Sequence, residues 1–237
     1  MIPATDSDPL SDPKTVEEDS PSRSPALRLI IGIVLFASVA VGGAYFSSHP
    51  APTSVDRLAD RILPVEYTVH WLVFFTNLGR PRVVIPGVVV CFVMAFLWDR
   101  RRAITCLVAP AAAIAITEYL AKPIVARTYG GSLSYPSGHM TSVAALVAVF
   151  VLAVPPRFRW PAAIFGTAVD LWLGAILILL RWHYLTDVVA GAAVAIGTTL
   201  LVDTFVHMYP GWRLVLGPAH RLKSERRIAP TSRHSGL

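Results

Sequence analysis

Lys122-Pro123-Ile124-Val125-Ala126-Arg127, Tyr135-Pro136-Ser137-Gly138-His139 and Arg181-Trp182-His183-Tyr184-Leu185-Thr186-Asp187 are short polar blocks in a chain that is otherwise apolar. Each block stands at the end of an apolar run, and that placement decides the fold. The runs cover about residues 27–46, 81–98, 103–121, 138–154, 161–180 and 185–208. Each approaches the roughly 20 residues with which a helix crosses a bilayer. The expected fold is therefore all-α: a six-transmembrane helix bundle with the polar blocks gathered at the membrane–water interface.

Composition agrees with a membrane protein. The 237 residues are 54% hydrophobic and 15% charged, with a mean hydropathy of +0.56, where soluble domains carry about 25% charged residues. The net charge of +6 does not point to a nucleic acid partner, because the basic residues cluster beside apolar runs, where membrane topology accounts for them. Cys91 and Cys106 lie inside apolar runs, so no disulfide is expected. Of the 21 basic residues 18 are Arg, which makes Lys122 one of three lysines and a candidate for a chosen position.

Residues 1–25 hold six acids, five prolines and five serines and read as a disordered tail. That composition is wrong for a signal peptide, so the run at 27–46 is expected to remain as a span. Residues 47–80 alternate charge and apolarity and read as an outer interfacial segment, with Tyr67 and Trp71 at headgroup depth. Residues 26–210 form the membrane domain and 211–237 a basic tail. Arg100–Arg102, Arg157, Arg159 and that tail fall on one side, which the positive-inside rule makes cytoplasmic. Both termini then lie in the cytoplasm of a plasma-membrane protein. Lys122, Arg127, His139, Arg181 and His183 all fall on the outer face.

The chemistry of the blocks suits an anion. Pro136-Ser137-Gly138-His139 opens an apolar run, so Ser137 can cap a helix whose free N–H groups and dipole attract negative charge. Gly138 lets an oxygen approach the backbone closely. Taken alone, this is an ordinary cap followed by a turn glycine. His183 and Asp187 are four apart and share a helical face, so the carboxylate can fix the imidazole tautomer. Taken alone, that is a structural pair. Lys122, Arg127 and Arg181 have a plain reading as snorkelling cations, but on the outer side they are less expected, and phosphate binding explains them. One histidine can attack phosphorus and the other can protonate a leaving oxygen.

These blocks resemble the three motifs of the type 2 phosphatidic acid phosphatase and vanadium haloperoxidase superfamily. The family pattern is Lys, six residues, Arg-Pro; then Pro-Ser-Gly-His; then Ser-Arg, five residues, His, three residues, Asp. The middle motif is complete at Pro136–His139, and the third ends at His183 and Asp187. The resemblance implies a membrane lipid phosphatase with His183 as nucleophile, His139 as acid and Asp187 orienting His183. Lys122, Ser137 and Gly138 would hold the phosphate, and no metal or organic cofactor is implied. Tyr129-Gly130 stands where the family has Arg-Pro, and Ile176-Leu177 where it has Ser-Arg. Arg127 and Arg181 are the expected substitutes. The implied partner is a lipid phosphate in the bilayer, either a prenyl diphosphate or a phosphatidate-type phospholipid.

Other classes fit parts of the pattern. Ser137, His183 and Asp187 could form the triad of an intramembrane serine protease, although three cations have no place in amide hydrolysis. A non-catalytic lipid-binding or transport protein would use the in-span charges Glu118 and Asp170. His139, His183 and Asp187 could hold a metal ion. Asp203 and His207, another i, i+4 pair, read as structural at the cytoplasmic end.

Overall fold

The structure, a computed structural model, describes residues 25–63 and 70–209. The acidic tail, the placement of Tyr67 and the basic tail lie outside the described residues. Helix α1 spans Pro25–Ser48, α2 Ser54–Ile62 and α3 His70–Thr76, followed by a short 3-10 turn at Asn77–Gly79. Helix α4 runs Pro81–Phe96 and α5 Arg100–Ala115, which continues as a π-helical segment, Ile116–Ala121, into the single turn α6, Lys122–Val125. A hairpin of β1 (Thr128–Tyr129) and β2 (Ser132–Leu133) leads to α7 (Gly138–Ala153). Helices α8 (Arg159–Leu179) and α9 (Leu185–Met208) complete the bundle.

Local chemistry sets these boundaries. Pro81 starts α4, where its missing N–H costs nothing. Asp99 caps α5 by accepting from the N–H groups of Arg101 and Arg102 at 3.1 and 3.3 Å. Ser137 caps α7 through the Met140 N–H. The loop read from sequence between residues 122 and 138 contains a hairpin, because Gly130 and Gly131 supply positive φ values of 56° and 84° at its turn.

Four helical stretches are long and apolar enough to cross a membrane: Pro25–Ser48, Arg100–Val125, Pro156–Leu179 and Leu185–Met208. Trp71–Gly79 with Pro81–Phe96 makes a fifth if this pair, bent by 46°, is one span. Helix α7 has 16 residues, about 24 Å of length against a hydrocarbon core of about 30 Å. The expected six spans thus correspond to six observed helices, of which four or five meet the length and hydropathy of a membrane span. Outward faces of α1 (Ile30, Ile33, Val34, Val41) and α8 (Ile164, Phe165, Leu171) are apolar and exposed. The protein is a membrane-embedded helical one, with lipid as the solvent for such faces.

Helix α9 is the axis, packing on α1, α5 and α7. Its close approach to the start of α7 requires Gly191, where a Cβ would lie 2.6 Å from the Ser137 carbonyl oxygen. At the end of the bundle away from Ser137, Asp203 bonds Arg28 at 2.8 Å and lies 3.3 Å from His207. Trp98 donates to the Ala153 carbonyl at 3.1 Å there. Asp203, through Arg28, therefore ties α1 to α9.

Candidate active site

The three polar blocks converge at the end of the bundle where α7 and α9 begin. His183 stands in the loop that leaves α8 through Arg181, whose backbone is left-handed with φ 56°. The imidazole is buried, and its Nδ1 lies 3.0 Å from the Ser134 carbonyl oxygen. A carbonyl can only accept, so Nδ1 carries the proton and Nε2 presents a lone pair. Asp187 is 3.9 Å from that Nδ1, an ion-pair separation rather than a hydrogen bond. The tautomer is thus set by Ser134, at the base of the hairpin, where its N–H in turn donates to Arg127 carbonyl oxygen at 2.8 Å. Burial, then the positive charges of His139 and Lys122, push the His183 pKa down to about 4.

His139 opens α7, its ring 5.7 Å from that of Trp182. Lys122 and Glu118 form an ion pair, with Nζ at 2.7 and 2.9 Å from the two carboxylate oxygens. The π-helical segment that carries Glu118 delivers both groups to the start of α7; such segments recur at functional sites. A Cβ on Gly138 would collide with Glu118 Oε1 and lie 3.1 Å from Lys122 Nζ. Glycine at 138 is what lets an anionic oxygen and the ammonium meet at the N-terminus of α7.

Arg127 is wholly buried and has spent its donors. Nη1 donates to Asp187 Oδ1 at 2.7 Å and to Thr186 Oγ1 at 2.8 Å. Nη2 donates to Asp56 Oδ2 at 3.1 Å and to the Ala51 carbonyl at 3.4 Å, and Nε to the Pro50 carbonyl at 3.2 Å. Five N–H groups meet five acceptors, and the guanidinium lies over the Phe46 and Tyr184 rings at 3.9 and 4.3 Å. Nothing remains for a phosphate in this arrangement. Arg181 pairs with Asp60 of α2. The structure thus brings Lys122, Ser137, Gly138, His139 and His183 together, and places Arg127 behind Asp187 and Arg181 against α2.

Sequence reasoning missed Asp56 and Asp60. Asp56 is buried and accepts from Thr53, Arg127 and the Thr186 N–H and hydroxyl. Burial raises its carboxyl, but the Thr186 and Thr53 N–H groups and Arg127 outweigh that and hold it below the usual carboxylate range. The signal was present: two acids four apart on a short interfacial helix share a face and call for cationic partners.

Ser137 is buried, capping α7 through its hydroxyl, while its N–H donates to the Asp187 carbonyl oxygen at 2.9 Å. No hydrogen bond joins Ser137 to His183 among the described residues, so no serine-type relay is formed. Among the described residues no three His, Cys, Asp or Glu side chains are grouped to hold a metal ion.

No family model matches the chain. The lipid A 1-phosphatase of Rhizobium etli is 36% identical over 85 residues, 36% of this chain and 34% of the relative. That of Rhizobium johnstonii is 40% identical over 68 residues, 29% of this chain and 26% of the relative. The chain thus matches about a third or less of these relatives' length. Among solved structures, the first transmembrane PAP2-type phosphatidylglycerolphosphate phosphatase from Bacillus subtilis superposes with a TM-score of 0.56. The superposition covers 78% of this chain and 98% of the other at 18% identity, which makes it a likeness of fold. Apolar helices with two histidines, a lysine and a capped helix start at one end make a membrane-embedded helical protein with the fold of a PAP2-type phosphatase. In part of its sequence the chain is similar to lipid A 1-phosphatases, and in fold to a PAP2-type phosphatase.

Proposed function

We propose that the protein is an integral membrane phosphatase that releases phosphate from a lipid through a phosphohistidine on His183. The observation that carries this reading is the fixed tautomer of His183, with Nδ1–H on the Ser134 carbonyl and Nε2 unprotonated beside Lys122 and His139. Nε2 attacks phosphorus and the N–P bond forms as the P–O bond to the lipid breaks. His139 gives its proton to the departing oxygen. Water then attacks the phosphohistidine, His139 takes the proton, and inorganic phosphate leaves. Lys122 and the N-terminus of α7 at Gly138 hold the phosphate oxygens, Glu118 giving way to them. Asp187 supports His183 through the local charge, and Arg127 and Arg181 brace the loops that carry the site. This division follows from the saturated guanidinium of Arg127 and the Arg181–Asp60 pair. The six helices span the plasma membrane with the site facing outward and the substrate is a prenyl diphosphate or a phosphatidate-type phospholipid.

The test is a panel of prenyl diphosphates, phosphatidate and phosphatidylglycerophosphate with purified protein in detergent. Phosphate release from at least one lipid is expected, with an acid-labile, base-stable phosphoprotein trapped during turnover. His183→Ala should abolish both. Release by His183→Ala at the wild-type rate would remove the nucleophile from this scheme.

A further inference from the structure

The cations of the three motif blocks are all compensated. Lys122 is paired with Glu118, Arg127 with Asp56 and Asp187, and Arg181 with Asp60. A further cation outside the blocks reaches the site. Gly79 packs against His139 so closely that a Cβ there would lie 2.9 Å from the imidazole Cδ2 and 3.0 Å from Cα. The next residue, Arg80, is exposed, and its charge bears on His139 together with that of Lys122. No described residue pairs with the Arg80 guanidinium, whereas that of Arg82 donates to Asn77 Oδ1 at 2.6 Å. Two residues before Arg80, Leu78 opens an apolar groove of about 360 Å³ between α4, α7 and α8. Its walls include Val83, Gly87, Val143, Leu146 and Phe165.

The site is therefore asymmetric. In the phosphatase reading above His183 attacks and His139 protonates the leaving group, and next to His139 come a guanidinium with no partner among the described residues and an apolar groove. A leaving group that suits this side has an anionic head and an apolar chain. We propose that Arg80 binds the leaving group, and that this leaving group is a lipid monophosphate, so that the substrate is a lipid diphosphate. The inference rests on the phosphatase reading above and chooses within it. When His183 Nε2 bonds to the terminal phosphorus, the P–O bond to the bridging oxygen breaks and its electron pair stays on that oxygen. His139 protonates it, and the departing lipid phosphate still carries negative charge, which a bidentate guanidinium matches. The leaving group of a simple lipid monoester is a neutral alcohol once protonated, and Arg80 has nothing to hold.

The experiment compares a prenyl diphosphate with the prenyl monophosphate of the same chain length in detergent micelles. Phosphate release is measured for the wild type, Arg80→Ala, Arg80→Lys and Arg82→Ala. The expected wild type prefers the diphosphate. Arg80→Ala should lose about 10²-fold on it, the scale for removing one electrostatic stabiliser, and little on the monophosphate. Arg80→Lys should recover part of the loss, and Arg82→Ala should match the wild type. Equal loss on both substrates makes Arg80 a general surface cation and overturns the assignment, as does no loss on either or a wild type that cleaves the monophosphate alone. In those cases the phosphatase reading stands. A wild type that releases phosphate from neither prenyl lipid overturns the Arg80 assignment, and one that also releases none from phosphatidate or phosphatidylglycerophosphate overturns both.

Discussion

In the proposed role of His183 as nucleophile, the free lone pair is owed to a carbonyl group. With Nδ1–H held by Ser134, the free lone pair does not depend on Asp187, and burial beside two cationic groups keeps the ring neutral into acid. The folded pKa of about 4 lies below the ordinary histidine value of 6.5. The unfolded chain therefore takes up this proton first, and the contribution of His183 to stability is present above pH 6.5 and lost as pH falls from there toward 4. NMR of labelled histidine in micelles should show His183 unprotonated at pH 5.5, and Lys122→Ala should move its titration upward. A His183 that titrates near 6.5 in the wild type would remove this account. The two histidines also separate by leaving group. His139→Ala should cost little on an activated aryl phosphate, whose oxyanion needs no proton, and much on an alkyl lipid phosphate, while His183→Ala is inactive on both. The reverse pattern would exchange their roles.

At the scale of elements, helix α2 matters out of proportion to its nine residues. It is amphipathic and lies across the start of α9, where Asp56 joins its own cap at Thr53 to Thr186 and Arg127. Removing one member of a buried charge network strands the others, at about 3–5 kcal/mol. Asp56→Ala should therefore lower the thermal midpoint in detergent far more than Thr53→Ala, whose lost cap costs about 1 kcal/mol. Similar midpoints for the two would show that the network contributes little. The partly exposed Arg181–Asp60 pair predicts a different pattern. Arg181→Ala and Asp60→Asn should share one modest defect in turnover, because each releases the same loop from α2. A loss of about 10²-fold for Arg181→Ala alone, with Asp60→Asn active, would return Arg181 to the phosphate.

For the whole molecule, the orientation is checked by paired cysteines. Ser132→Cys lies in the hairpin at the site and Arg157→Cys in the exposed turn before α8. An impermeant maleimide on intact cells should label the first and spare the second; equal labelling would remove the outward-facing site. The helices were legible because hydropathy runs and caps are local signals: Asp99, Ser137 and Pro81 mark their starts in the chain itself. The convergence of the blocks followed from the ends of those helices. The partners of the cations were not legible, because Arg127 meets Asp56 across 71 positions and Arg181 meets Asp60 across 121. A cation at a helix end looks the same in sequence whether a phosphate or a distant carboxylate answers it. Arg80 was hidden for the converse reason, since nothing local to it shows that Gly79 lies on His139.

The carboxylate of Glu118 sits against Gly138 with the Lys122 ammonium upon it, at the place assigned to the phosphate oxygens. If phosphate binds there as proposed, such a seat has a standing tenant, and product phosphate would depart by exchange with Glu118 instead of leaving a bare ammonium behind. Turnover would then include a swap of anions, with the off-rate of phosphate set partly by a side chain that never touches phosphorus. Glu118→Gln removes the competing charge and should tighten inhibition by inorganic phosphate and vanadate while slowing its relief on dilution. Unchanged inhibition and recovery in this variant would mean that Glu118 is a bystander to release.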